Sequence, residues 1–300
     1  MEQHAALRSR LRYLLTTASQ LALAALVAAC GVPGFSSPPA STGPQTPPRA
    51  VLVAVIVMEN QSEAAVGSLP YLRSLAQRGA MLGNYRAVAH PSVPNYLALT
   101  SGSTWGIHDD AYHPLPAGRD LGHELSRANV PWRAYMESMT EGCFESPSPY
   151  AVKHNPFAYY GGECPPQVQP FELLDRDLDS DKPPRFIWIT PNLCDDDHDC
   201  DPAVGDRWLQ GVVPKLLAAP GYRQHGLIVI AWDEGAGGSD QAPALILSPD
   251  LLSRSSPRSF DHYSVLAAVE DRLGVPRLGS AAGADALTSL LRSAAVPARS

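Results

Sequence analysis

From residue 50 onward, short apolar runs alternate with amphipathic stretches. VLVAVIVM (51–58), RFIWIT (185–190), GLIVIAW (226–232) and ALILS (244–248) are continuous and rich in apolar β-branched and aliphatic residues. None alternates apolar with polar as a strand with one wet face does, so each is expected to be a parallel strand buried on both faces. Between them, LPYLRSLAQRGA (69–80), LGHELSRANV (121–130) and GDRWLQGVVPKLLAAP (205–220) space their apolar residues at helical intervals, with Gly or Pro nearby. That is the pattern of helices covering a sheet. The predicted class is α/β: a single domain over residues 50–300, with a central, mostly parallel sheet flanked by helices.

The chain before residue 50 has a different character. Arg8, Arg10 and Arg12 precede an apolar stretch that ends in small residues before Cys30, which reads as a signal segment over residues 1–29. LVAAC resembles the bacterial lipobox. Cys30 is therefore expected to carry a lipid that anchors an exported protein on the extracytoplasmic side of the bacterial cell envelope; secretion with an incidental cysteine is the alternative. Residues 30–49 are rich in Gly, Pro, Ser and Thr and read as a flexible linker. Export also changes the reading of Cys143, Cys164, Cys194 and Cys200, because disulfides are the default in an oxidising compartment. Three pairings are open, and local spacing favours Cys143 with Cys164 and Cys194 with Cys200. A zinc site is the competing reading, but the short C-x-x-C pairs that would signal it are missing.

Composition narrows the partners. With 300 residues, 45% of them apolar and 18% charged, the chain can bury a large core. A net charge of -7 without a long basic run argues against nucleic acid, since phosphate backbones are held by clustered Lys and Arg.

Polar residues gather at the ends of the predicted strands. Glu59 and Asn60 follow the first, Asn192 to His198 follow RFIWIT, and Asp233 and Glu234 follow GLIVIAW. Each group taken alone reads as an ordinary turn or a solvated acidic loop. In a parallel sheet, however, the carboxyl ends of strands share one edge, where ligands bind. Oxygen ligands converging there would repel one another unless a cation sat between them. A further candidate lies in HPSVPNYLALTSG (90–102), which fits a helix with Ser92 as N-cap and Gly102 at its end. A serine at a helix N-terminus also sits where backbone N–H groups bind phosphate oxygens, and a metal beside it would make its alkoxide usable near neutral pH. Asn95, one turn along, is placed to donate to a phosphoryl oxygen.

VIVMENQS (55–62), HPSVPNYLALTSGST (90–104), KHNPFAYY (153–160), TPNLCDDDHDC (190–200), GDRWL (205–209), WDEG (232–235) and FDHYSVLAAVED (260–271) together resemble the bacterial and fungal phosphoesterase family. That family contains acid phosphatases and phosphatidylcholine-type phospholipases C, and is similar in fold to the alkaline phosphatase superfamily. The resemblance makes Ser92 the nucleophile that forms a phosphoseryl intermediate, and His198 a contact to the phosphoryl group or the proton donor to the leaving oxygen. It makes Glu59, Asn60, Ser92, Asp233 and Glu234 the ligands of a divalent metal; Asp233 followed by Glu234 departs from the paired aspartates of some members. Asn95, His154 and His262 are expected to bind substrate, although His154 also fits a structural role and His262 fits packing behind a cap at Asp261. His90 is expected to orient the nucleophile loop. Oxygen-rich ligation favours a hard cation such as Ca²⁺, Mg²⁺ or Mn²⁺ over a thiolate-type zinc site, and Zn²⁺ in tetrahedral or mixed coordination stays open.

The expected activity is hydrolysis of phosphate monoesters. The alternatives are a phospholipase C-like phosphodiesterase and a non-catalytic lipoprotein that binds phosphorylated ligands. A serine esterase would need a G-x-S-x-G elbow, which SGSTWG (101–106) does not supply.

Overall fold

The computed structural model describes residues 51–287 and 289–292. The expected signal segment, the lipidated Cys30 and the linker lie outside the described residues. The chain runs through β1 (Val53–Met58), α1 (Glu63–Ser68), α2 (Pro70–Ala76), β2 (Ala80–Met81), β3 (Tyr85–Arg86), α3 (Ser92–Ser101), α4 (Leu121–Arg127) and β4 (Trp132–Met136). It continues through β5 (Val168–Pro170), α5 (Leu174–Leu178), β6 (Phe186–Thr190), α6 (Pro202–Ala218), α7 (Pro220–Arg223), β7 (Leu227–Trp232), β8 (Ala244–Leu247), β9 (Phe260–Asp261) and α8 (His262–Leu273).

Seven strands form one sheet in the order β2-β8-β7-β1-β6-β4-β5. At its centre, β1 pairs in parallel with β6 and β7, and every residue of these three strands is buried. This is why their sequences lack alternation: both faces are covered by helices. The run 244–248 does form a strand, but β8 is antiparallel to β7 and not parallel as expected. Residues 233–243, which join the two, contain no helix, so the chain turns back beside β7 without the crossover that a parallel neighbour needs.

Helix α3 is buried along its whole length, consistent with a sequence that is mostly apolar on every side. Its end is fixed by Gly102 at φ 69°, where a Cβ would lie 2.3 Å from the Leu278 carbonyl oxygen. Only glycine meets both demands. Helix α8, packed against α3 and the sheet, starts with the predicted cap: the Asp261 carboxylate accepts from Ser264 N at 2.9 Å. The two-stranded ribbon of β3 and β9 joins the start of the segment that leads to Ser92 to the residues just before His262.

Candidate active site

The register of the central strands builds the site. Met58 pairs with Trp232, so Glu59 and Asp233 emerge side by side, Asp233 N donating to Met58 O at 3.0 Å. On the other side Glu59 N donates to Asp196 O, 2.8 Å away in the loop after β6. Asn60 adopts φ 51°, a left-handed conformation that Asn tolerates. Its backbone N–H reaches Asp233 Oδ1 at 3.2 Å and its side-chain amide donates to Glu59 Oε2 at 3.1 Å.

Ser92 joins this group from α3. It is 2% exposed, and its hydroxyl donates to Glu59 Oε2 at 3.1 Å. It is not the helix cap expected from the sequence: Pro91 occupies the N-cap position and Ser92 begins the first turn. The first-turn amides are less available than expected. Val93 N donates to Asp110 Oδ1 at 3.1 Å, and Pro94 has no N–H. Tyr96, four residues after Ser92 and so on the same helix face, donates to Glu59 Oε1 at 2.8 Å.

His154 is wedged between carboxylates. Its Nε2 lies 3.1 Å from Glu59 Oε1 and its Nδ1 3.1 Å from Asp196 Oδ2, while its ring stacks on Tyr96 with centroids 5.1 Å apart. Burial, then the nearby Lys153, holds its pKa well below the ordinary imidazole value. His198 stands at the mouth. Its Nδ1 donates to Asp199 Oδ1 at 2.6 Å, which leaves Nε2 to accept from Lys153 Nζ at 3.2 Å.

Three expected residues do other work here. Asn95 has its amide engaged by the loop before Ser92: Oδ1 accepts from Val88 N and Ala89 N, both at 3.1 Å, and Nδ2 donates to Ala89 O at 2.8 Å. It shapes that loop instead of reaching outward. His262 is buried, donates from Nε2 to the Asp233 carbonyl at 2.6 Å and accepts from the Tyr85 hydroxyl at Nδ1; burial pulls its pKa to about 4. It props the backbone of Asp233. Glu234 turns its carboxylate to His90, whose other ring nitrogen meets Asp240 at 2.8 Å. Although partial burial opposes it, hydrogen bonding to Asp240 and Glu234 raises the His90 pKa.

The residues present fit a divalent cation. Asp233 Oδ2 is buried without a hydrogen-bond partner, and the 3.1 Å approaches of His154 Nε2 to Glu59 and of Asp196 Oδ2 to His154 Nδ1 are close contacts without hydrogen-bond geometry. Burial, reinforced by Asp233 and Asp196, pushes Glu59 well above the usual carboxylate range, and burial with Glu234 pushes Asp233 up to about 7. Buried carboxylates this close call for positive charge between them. Ligand atoms of Glu59, His154 and His198 lie within 4.8 Å of one another, so imidazole nitrogens stand among the candidate ligand atoms beside the oxygens expected from the sequence. Tyr96, Asp110 and Asp196 were not singled out in the sequence; the position of Tyr96 one turn after Ser92 was a usable signal.

Two disulfides frame these loops, in the pairing that local spacing favours. Cys143 pairs with Cys164 and Cys194 with Cys200, with Cα atoms 5.5 and 4.8 Å apart. The second closes the loop that presents Asp196 and His198.

Residues 55–250 match the Phosphoesterase family. The chain is 31% identical over 246 residues to a phosphatidylinositol-3-phosphatase of Mycobacterium tuberculosis, covering 79% of this chain and 82% of that one. It is 30% identical over 229 residues to an acid phosphatase of Aspergillus fumigatus, covering 69% of this chain and 51% of the relative, so it spans about half of the fungal protein. A solved Vibrio parahaemolyticus structure of the alkaline phosphatase superfamily superposes with a TM-score of 0.56 at 13% identity, covering 77% of this chain and 69% of that one. The chain belongs to the phosphoesterase family, hydrolases of phosphoric ester bonds.

Proposed function

We propose that the protein is a metal-dependent phosphatase that hydrolyses phosphate monoesters through a phosphoserine at Ser92. The observation that carries this reading is the buried Ser92 hydroxyl aimed at Glu59, beside the unpartnered oxygen of Asp233. A divalent ion held by Glu59, Asp233 and Ser92, with Asn60 and His154 at its edge, would lower the hydroxyl pKa and draw charge from the phosphoryl oxygens. Asn60 and Tyr96 fix the Glu59 carboxylate through its two oxygens, and His262 fixes the Asp233 backbone.

Ser92 Oγ attacks phosphorus, the ester oxygen leaves, and water then cleaves the phosphoserine. His198, anchored through Nδ1 by Asp199, is the proposed donor of a proton from Nε2 to the leaving oxygen, a step in which Lys153 leaves Nε2 for the phosphoryl oxygens. The neutral ring then takes one from the attacking water. The names of both relatives, phosphatases, support monoester hydrolysis over the diesterase alternative. The imidazole of His154, whose Nε2 faces Glu59 Oε1 at 3.1 Å, favours a cation that accepts nitrogen, such as Zn²⁺ or Mn²⁺, over Ca²⁺. The two disulfides support an extracytoplasmic location, with the lipid on Cys30 as the proposed anchor; no described helix is long and apolar enough to cross a membrane.

The test is p-nitrophenyl phosphate, bis-p-nitrophenyl phosphate and phosphatidylcholine offered to the metal-loaded protein and to Ser92→Ala. Monoester turnover abolished by the substitution is expected. Full activity in a folded, metal-loaded Ser92→Ala protein sinks the mechanism.

A further inference from the structure

The site must attract an anion, yet Glu59, Asp233, Asp196 and Asp110 crowd it with carboxylates. The usual helix N-terminal solution is partly blocked. Val93 N is already held by Asp110, and Pro94 offers no N–H. His90, next to the loop that carries Ser92, spends both ring nitrogens on Glu234 and Asp240.

Lys153 is differently placed. It precedes His154 in the 3₁₀ turn Val152–His154, so the residue that wedges against Glu59 also fixes the start of the lysine side chain. Its Nζ lies 3.2 Å from Asp110 Oδ2 and 3.2 Å from His198 Nε2. The Asp110 carboxylate thus spans two groups: one oxygen holds the amide following Ser92 and the other holds the ammonium. An ammonium has three donors, and these contacts use two of them. The side chain is 22% exposed, so the remaining donor is open to a ligand that reaches His198.

We propose that Lys153, steadied by Asp110, contacts the non-bridging oxygens of the bound phosphate and makes the site prefer dianionic phosphomonoesters to singly charged diesters. The proposal rests on the monoester reading above. A fixed ammonium interacts with the whole charge of the phosphoryl group, and a monoester carries one more negative charge than a diester at neutral pH. His198 Nε2 lies 3.2 Å from the same ammonium, so the lysine that meets the phosphate also stands beside the acid–base group.

The experiment compares wild type, Lys153→Gln and Lys153→Arg, all metal-loaded, on p-nitrophenyl phosphate and bis-p-nitrophenyl phosphate. Lys153→Gln should lower kcat/KM for the monoester on the order of 10²-fold, as loss of one charge-stabilising donor does, and change the diester rate by less than about threefold. Lys153→Arg should restore most of the monoester rate. Equal losses on both substrates, or an unchanged monoester rate, overturn the proposal. If the wild type hydrolyses neither ester, the monoester reading fails separately, and calorimetric titration with inorganic phosphate then decides the role of Lys153. About tenfold weaker binding by Lys153→Gln supports the phosphate contact, and unchanged binding overturns it.

Discussion

Ser92 and Glu59, 33 positions apart in the chain, meet through a 3.1 Å hydrogen bond from the serine hydroxyl to Oε2. The same carboxylate accepts from Asn60 on that oxygen and from Tyr96 on the other. Glu59 is therefore the common partner of the proposed nucleophile and its neighbours on both sides. Glu59→Gln, which keeps the shape and removes the charge, should release the bound divalent ion and cut p-nitrophenyl phosphate turnover on the order of 10²-fold or more. Elemental analysis beside the rate assay checks both parts.

Tyr96→Phe removes one hydrogen bond to that carboxylate and little else. Metal affinity should weaken by about 10- to 100-fold, the usual effect of losing a group that orients a ligand. Activity should return when excess metal is added, and titration of the stripped protein reads the change.

The Cys194–Cys200 disulfide closes a short loop, so breaking it should cost only about 2 kcal/mol of stability on the chain-entropy view. The loop presents Asp196 to His154 and His198 to Lys153. Cys194→Ser with Cys200→Ser should therefore reduce activity much more than the melting temperature. Parallel thermal melts and rate measurements separate the two effects.

Gly205, in the first turns of α6, packs against the same loop. A Cβ there would lie 2.1 Å from Asp197 Oδ1 and 2.8 Å from the Met58 methyl. Asp197 accepts from Trp232 Nε1 at 3.2 Å and cannot retreat freely. Gly205→Ala should destabilise the domain by about 1–3 kcal/mol, the range for overpacking, and lower activity by shifting the loop. Denaturant unfolding and kcat together test this.

Glu270 supplies a pH dependence away from the site. Burial, set against the hydrogen bond from Leu278 N and the nearby Arg277 charge, raises its pKa to about 8 from the ordinary 4.5. Asp271 and Glu124 reinforce the shift. The folded state then holds the proton more tightly than the unfolded state. The stabilising contribution is complete below about pH 4.5 and is lost as pH rises toward 8. Glu270→Gln keeps the acceptor for Leu278 and has no charge to bury. It should gain stability over wild type on the order of 1–3 kcal/mol at pH 8 and less at pH 5, as read from denaturant midpoints at the two pH values.

The three central strands were legible because burial on both faces leaves a run with no polar interruption. The direction of β8 was not, since an apolar run carries no sign of which way it points. Strand β4 escaped notice because Trp132, Arg133, Ala134, Tyr135 and Met136 include no β-branched residue. Within the site, Glu59, Asn60 and Asp233 could be placed because strand ends locate them. Glu234, Asn95 and His262 were harder. Their side chains are claimed by His90, by the 88–91 loop and by Tyr85, partners brought by tertiary folding from irregular segments or distant positions. Asp110 and Lys153 come from loops with no periodic pattern, so nothing local announced their pairing.

The ribbon of β3 and β9 bears on when the protein becomes competent. Tyr85 pairs with Phe260, and His262 follows at once to support Asp233. The reacting cluster thus depends on segments separated by most of the domain, contacts whose loop-closure cost makes them slow to form. A nascent or partly folded chain lacks the last of these segments. Hydrolytic competence should arrive only with the final stage of maturation, when the C-terminal helix docks.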